Sequence, residues 1–268
     1  MRVVIVVPEA FENFSKNENC ISYSEALSLL KGDEAALIPM QGCMFIAGLG
    51  LGELQIDHIE CLAARRGLKH EFKHWREWQV STTADRALCH KHVPENVLIS
   101  RPRKESETLY SADLHLNSNN ELMLDHLTGQ HVQGMVLTEA CRQMFLAVTE
   151  EFFLQDYKTK KRYFVIETMA MRFTSFAFPL PAHIEYKVIN KDSRKAHKRG
   201  FHVNMEVFQC SKPVCGMEVK FTVFDDVYIT VKENELAAQT LMYCIDQFRI
   251  KNGFHGSTKP LESQVSAE

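Results

Sequence analysis

Gln133-Gly134-Met135-Val136-Leu137-Thr138-Glu139-Ala140-Cys141-Arg142-Gln143 is the stretch on which the fold turns. Continued to Phe153, it spaces Val136, Leu137, Ala140, Cys141, Met144, Ala147 and Val148 with a helical period, and these residues take up more than half of the circumference. A helix of that kind must be covered on most sides. The following segments supply the cover: His183 to Val188, Phe201 to Val207 and Met217 to Val223 each alternate apolar and polar residues, so each strand has one dry face and one wet face. One long apolar helix followed by such strands predicts an α+β fold in which a curved antiparallel sheet wraps the helix.

Working outward, Val97 to Ser100 and Leu109 to Leu116 read as strands separated by a charged turn, Arg101 to Glu107, with a polar loop at Asn117 to Glu121. Lys191 to Gly200 reads as a charged connection. Ser211 to Val214 reads as a hairpin turn, with Cys210 and Cys215 facing each other across it. Glu233 to Ile250 reads as a terminal helix, with a mobile polar tail after Gly253. At the other end, Arg2 to Val7 reads as a buried strand. Tyr23 to Leu30, Ala35 to Met40, Leu54 to Ala64 and Leu68 to Phe72 continue an alternation of short strands and helices. Lys73 to Asp85 reads as a linker carrying Trp75 and Trp78 as an interfacial pair. The chain therefore divides into an N-terminal α/β domain (1–85), a sheet-and-helix domain (86–230) and a C-terminal helix with its tail (231–268).

Composition narrows the function. Over 268 residues, 31 basic and 34 acidic side chains leave a formal charge of −3, no field for gathering a polyanion, so nucleic acid is not the expected partner. The apolar opening run is broken by Pro8 and Glu9, far short of the ~18 residues that span a membrane. Eight cysteines without C-x-x-C spacing imply reduced thiols and a cytoplasmic location. His70 with His74, and His90 with His92, have spacings that invite a metal, but neither fits H-E-x-x-H, and no metal or other cofactor is expected. Gly48, Gly50 and Gly52 precede a helical pattern, and their backbone N–H groups can hold a phosphate; the alternative is a tight turn that needs positive φ.

The decisive stretch, preceded by Asp125-His126, resembles the loop and central helix of hotdog dehydratases acting on carrier-protein thioesters. The loop here, Leu127-Thr128-Gly129-Gln130-His131, lacks their prolines. It is more similar to the A-factor biosynthesis hotdog family, whose E-A-x-R-Q helix is matched by Glu139, Ala140, Arg142 and Gln143. That family's opening V-H-K-like stretch and apolar strand have counterparts in His90-Lys91 and Asn96-Val97-Leu98-Ile99. The resemblance runs from His90 to about Phe224. It implies a hotdog fold and transfer of a β-ketoacyl group from acyl carrier protein, or a CoA thioester, to a small hydroxylated acceptor with or without a phosphate, in butyrolactone-type signal biosynthesis. Alternatives are a hotdog thioesterase or dehydratase, and a non-catalytic module that binds an acyl or butyrolactone compound. No second E-A-x-R-Q helix occurs in residues 1–85, so a homodimer is expected.

Glu139, Arg142 and Gln143 fall on one helix face. Glu139 is the expected general base, its pKa raised by burial, with a structural ion pair to Arg142 as the plain alternative. Arg142 is expected to bind substrate phosphate or to lower the acid's pKa, and Gln143 to orient the nucleophile or the carbonyl. Gly134, Met135 and Val136 offer N–H groups at the helix start to an oxyanion, while His126, beside Asp125, is the candidate catalytic residue of the loop. Lys191, Arg194, Lys195, Lys198 and Arg199 are a candidate docking patch for the acidic carrier. Met169, Met171, Phe173, Phe176 and Phe178 are candidates for setting acyl chain length.

Overall fold

The computed structural model describes residues 1–80, 82–154, 162–195 and 198–253. The first unit is a three-stranded parallel sheet ordered β2 (Cys20–Ser22), β1 (Arg2–Val7), β3 (Cys43–Ala47). Helices α1 (Tyr23–Lys31), α2 (Glu34–Leu37) and α3 (Glu53–Arg65) accompany it. Helix α1 starts in a capping box: Ser22 accepts from the Glu25 amide while the Glu25 carboxylate accepts from the Ser22 amide. The strand β3 escapes the sequence reading because its five residues are all apolar and all buried, leaving no alternation to detect.

Val4, Val6, Leu30, Phe45, Ile56 and Ile59 form the core of this unit. Trp75 belongs to it as well. Its side chain is fully buried and its Nε1–H donates to the Ile56 carbonyl at 3.1 Å, so it is a core residue and not half of an interfacial pair. Leu68 to Phe72 is a series of turns, not a regular element.

The second unit is a six-stranded antiparallel sheet, ordered β4 (Arg103–Lys104), β5 (Leu109–Asp113), β7 (Ala182–Lys195), β8 (Lys198–Gln209), β9 (Lys212–Asp225) and β6 (Arg162–Phe173). Helix α5 (Gly134–Val148) packs on its concave face and runs on into a π-helical turn at Thr149–Phe153. Ile184, Tyr186, Val203, Met205, Val219 and Phe221 are buried with Leu137, Ala140, Met144 and Phe145 in one cluster. The alternation read from the sequence therefore points the expected faces at the helix. A short helix, α4 (Glu121–Asp125), precedes the loop into α5.

Two connections differ from expectation. The segment expected as a charged loop at 191–200 is mostly the extension of β7 and β8 into a long hairpin arm, with Lys195 paired to Lys198. The turn between β8 and β9 is Cys210-Ser211, both at positive φ, with Gln209 already paired to Lys212. That two-residue geometry matches the twist of the strands. Cys210 sits exposed in the turn, whereas Cys215 is buried opposite Val207, so the two do not face each other. Helix α6 (Asp226–Asn252) is longer than expected and buries no residue. Tyr163 Oη donates to Glu233 at 2.7 Å near its start. The tail from residue 254 lies outside the described residues.

The units meet through the glycine-rich turn and the loop before α5. The Leu49 amide donates to the Pro179 carbonyl at 3.0 Å, and the Ser118 amide to the Gly50 carbonyl at 2.7 Å. The Asn13 and Phe14 amides both donate to the Gly129 carbonyl, and Phe14 stacks on Phe178. Gly48 has no room for a side chain: a Cβ would stand 2.9 Å from Val7 Cγ1 and 3.1 Å from the carbonyl oxygens of Pro179 and Val6. Gly48→Ala is expected to lower unfolding free energy by about 1–3 kcal/mol, because two of the three clashing atoms are backbone; urea denaturation measures it.

Candidate active site

The sheet covers α5 on all but one strip, where Met135, Thr138, Glu139 and Arg142 are not fully buried. Glu139 lies at its centre with its side chain 15% exposed. It is the acceptor of a compact network. Lys91 Nζ is 2.7 Å from Oε1; Arg142 donates from Nε to Oε2 at 2.7 Å and from Nη2 to Oε1 at 2.9 Å; Gln143 Nε2 donates to Oε1 at 3.0 Å. Desolvation pushes the Glu139 pKa up, but the hydrogen bonds from Arg142, Lys91 and Gln143 outweigh it and hold the carboxyl below its ordinary value. The raised pKa expected of a general base is thus reversed, since four donated contacts favour the ion.

Gln143 is fully buried and fully used. Its Oε1 accepts from the Leu98 amide at 2.8 Å, and its Nε2 donates to the Asn96 carbonyl at 2.8 Å as well as to Glu139. With both amide hydrogens engaged it clamps α5 to the strand at 96–98 and aims Glu139, and neither hydrogen is left to orient a nucleophile.

Lys91 reaches Glu139 from a tight turn that the sequence reading noted only as the family's opening stretch. In that turn Cys89 is buried, His90 adopts φ +53° and Lys91 points to the helix. Burial pushes the Cys89 thiol up to about 12, so it is not a nucleophile. His90 and Arg142 line a pocket of about 580 Å³ together with Glu150, Arg162, Tyr163 and Phe164. A volume of this size suits a small ligand.

The other expected residues lie elsewhere. Asp125 ends α4 and His126 follows it, both exposed; the His126 carbonyl accepts from Gln133 at 3.1 Å, beside the start of α5 and away from the Glu139 network. Gln133 does not cap α5 with its side chain, so the N–H groups of Gly134 and Met135 have no acceptor among the described residues, whereas the Val136 amide already donates to the Gln133 carbonyl at 3.1 Å and is not open to an oxyanion. Phe173 packs against Gly134, whose missing side chain admits the ring. Gly48, Leu49 and Gly52 already donate their amides to Val6, Pro179 and Gln55, so this turn docks the two units and those donors are not open to a phosphate. Lys191 lies over the Phe153 ring and Arg199 donates to the Phe153 carbonyl, which draws both toward the end of α5. The side chains of Arg194 and Lys195 lie outside the described residues. No three metal-ligating side chains gather among the described residues, and no described helix is long and apolar enough to cross a membrane.

A curved antiparallel sheet wrapped around an apolar helix, with a carboxylate network on the one open strip, defines a hotdog domain. The match to the A-factor biosynthesis hotdog domain spans residues 75–225, more than half of the chain, and the protein belongs to that family. A search of the curated proteins finds no match. Solved structures with a similar fold include a dehydratase heterocomplex from Xenorhabdus doucetiae, at 12% identity and TM-score 0.40, covering 53% of this chain and 93% of that one. A putative thioesterase from Shewanella oneidensis aligns at 10% identity and TM-score 0.38, covering 51% and 92%. A conserved protein from Pseudomonas aeruginosa aligns at 15% and 0.34, covering 46% and 86%.

The lowered Glu139 pKa links the network to stability. The contribution is fully present above the ordinary value of 4.5 and is lost as pH falls through the folded value. Glu139→Gln is therefore expected to cost about 1–3 kcal/mol near neutral pH, between exposed and fully buried pairs. It should also lose less stability than the wild type on acidification below about pH 4, as thermal melts across pH will show.

Proposed function

We propose that the protein transfers an acyl group, of the β-ketoacyl type, from an acyl-carrier or CoA thioester to the hydroxyl of a small acceptor that can bear a phosphate. The observation that carries this is an ionised Glu139, held by three side chains on the one open strip of the central helix, with Arg142 also lining the adjoining pocket. The carboxylate fixes two cations beside the pocket. Arg142 on the pocket wall suits a phosphorylated acceptor, while Arg162 beside it is paired with Asp225. A carboxyl held below its ordinary pKa is a poor donor of a proton to a departing hydroxide, which counts against a dehydratase.

The test is intact-mass and product analysis with β-ketoacyl carrier protein, with and without dihydroxyacetone phosphate. Expected is loss of the acyl group that depends on the acceptor, with formation of its ester, reduced about 100-fold or more in Glu139→Gln. Acyl loss to water alone overturns the reading in favour of a thioesterase; a dehydrated acyl product does so in favour of a dehydratase. An untouched thioester leaves only a binding module.

A homodimer completes this site. Strand β6 is an edge of twelve residues, and Ile166, Met169 and Phe173 along it are exposed. An open apolar edge of this length invites pairing with a second copy. Sedimentation should show a dimer for the wild type and a monomer for Ile166→Lys/Met169→Lys, with acyl transfer lost in the monomer.

A further inference from the structure

Transfer of an acyl group to an alcohol needs a base that exchanges protons near neutral pH, and Glu139 is bound by too many donors for that. The same pocket holds a better placed group. In the turn at 89–91, three consecutive side chains go to three different places: Cys89 into the core, His90 into the pocket and Lys91 onto Glu139. This division is bought with a left-handed backbone at His90, a conformation uncommon outside glycine and concentrated at functional sites.

The ring is held from two sides. His90 Nε2 lies 3.7 Å from Glu150 Oε1, and the imidazole sits edge-on to Phe164 with centroids 5.3 Å apart. Glu150 comes from the π-helical turn, a break in α5 that re-aims the residues after Val148. The charged and titratable groups around the pocket are Glu150 and Arg142 from α5 and its π turn, and Arg162 and Tyr163 from β6. Lys91, paired to Glu139, adjoins on the histidine's own turn.

We propose that His90 is the proton-accepting residue of this pocket, that Glu150 orients it through Nε2, and that Glu139 is a positioning residue for Lys91 and Arg142. The proposal rests on the acyl-transfer reading. His90 removes the proton from the acceptor hydroxyl as its oxygen bonds to the thioester carbon. The tetrahedral intermediate then collapses with cleavage of the C–S bond, and the departing thiolate takes the proton back from the imidazolium. The carboxylate of Glu150, beside Nε2, offsets the positive charge that forms on the ring in the first step.

The test follows thiol release from β-ketoacyl carrier protein, with dihydroxyacetone phosphate or with water as acceptor, across pH 5 to 9. Wild type is expected to show an acid limb, the rate falling as the base is protonated. His90→Gln should lower kcat about 100-fold and abolish that limb. Glu150→Gln should lower kcat about tenfold with KM unchanged, a split that a purely structural role does not produce. Melting curves establish that both variants fold. His90→Gln with a wild-type rate and pH profile overturns this inference and leaves acyl transfer standing, as does a wild-type kcat in Glu150→Gln. Thiol release by the wild type in water alone overturns acyl transfer but leaves the base to be judged by the same variants. No thiol release under either condition overturns both.

Discussion

Helix α5 places ten of its fifteen residues out of water, and the rest of the second unit follows from the need to cover them. No flat sheet reaches so far round a helix, so the strands must be long, twisted and continuous, and β7, β8 and β9 are each twelve to fourteen residues long. The cover is incomplete on one strip because the sheet has two ends. That strip is where polar side chains are tolerated on the helix, and it is where Glu139 and Arg142 sit.

A carboxylate so placed would be costly without partners. The chain supplies them from two directions, Arg142 and Gln143 from the helix itself and Lys91 from a turn that precedes the sheet. Gln143 also ties the helix to the backbone at 96 and 98, which couples the electrostatics of the site to the packing of the fold. One consequence is a division of labour in the pocket: the ionised carboxylate organises cations, and proton exchange falls to a group with fewer partners. The N-terminal unit adds to this from a distance. By donating two amides to Gly129 it braces the loop that leads into α5, and its glycine-rich turn serves that docking.

Much of the fold is legible in the residues. Period-two patterns in 183–188, 201–207 and 217–223 and the broad apolar face of 134–153 suffice for a sheet around a helix, because each pattern records which side chains leave water. Strand β6 is not legible. As an edge strand it has no buried position, and Arg162-Tyr163-Phe164-Val165-Ile166 shows no alternation. Strand β3 is hidden for the opposite reason, being buried throughout.

At the site, the helical spacing of Glu139, Arg142 and Gln143 already places them on one face, since that depends only on residues three and four apart. The sign of the Glu139 pKa shift does not follow from spacing. It depends on Lys91, forty-eight positions earlier, and on how many donors outweigh burial. Likewise nothing in the string pairs His90 with Glu150 or sets both against Arg162. What the sequence by itself determined was local: the helix, the alternating strands and the ligating face of α5. Which charges neighbour one another was decided only by tertiary structure, because electrostatic effects depend on distance in space and on excluded water, and neither is encoded in any short run of residues.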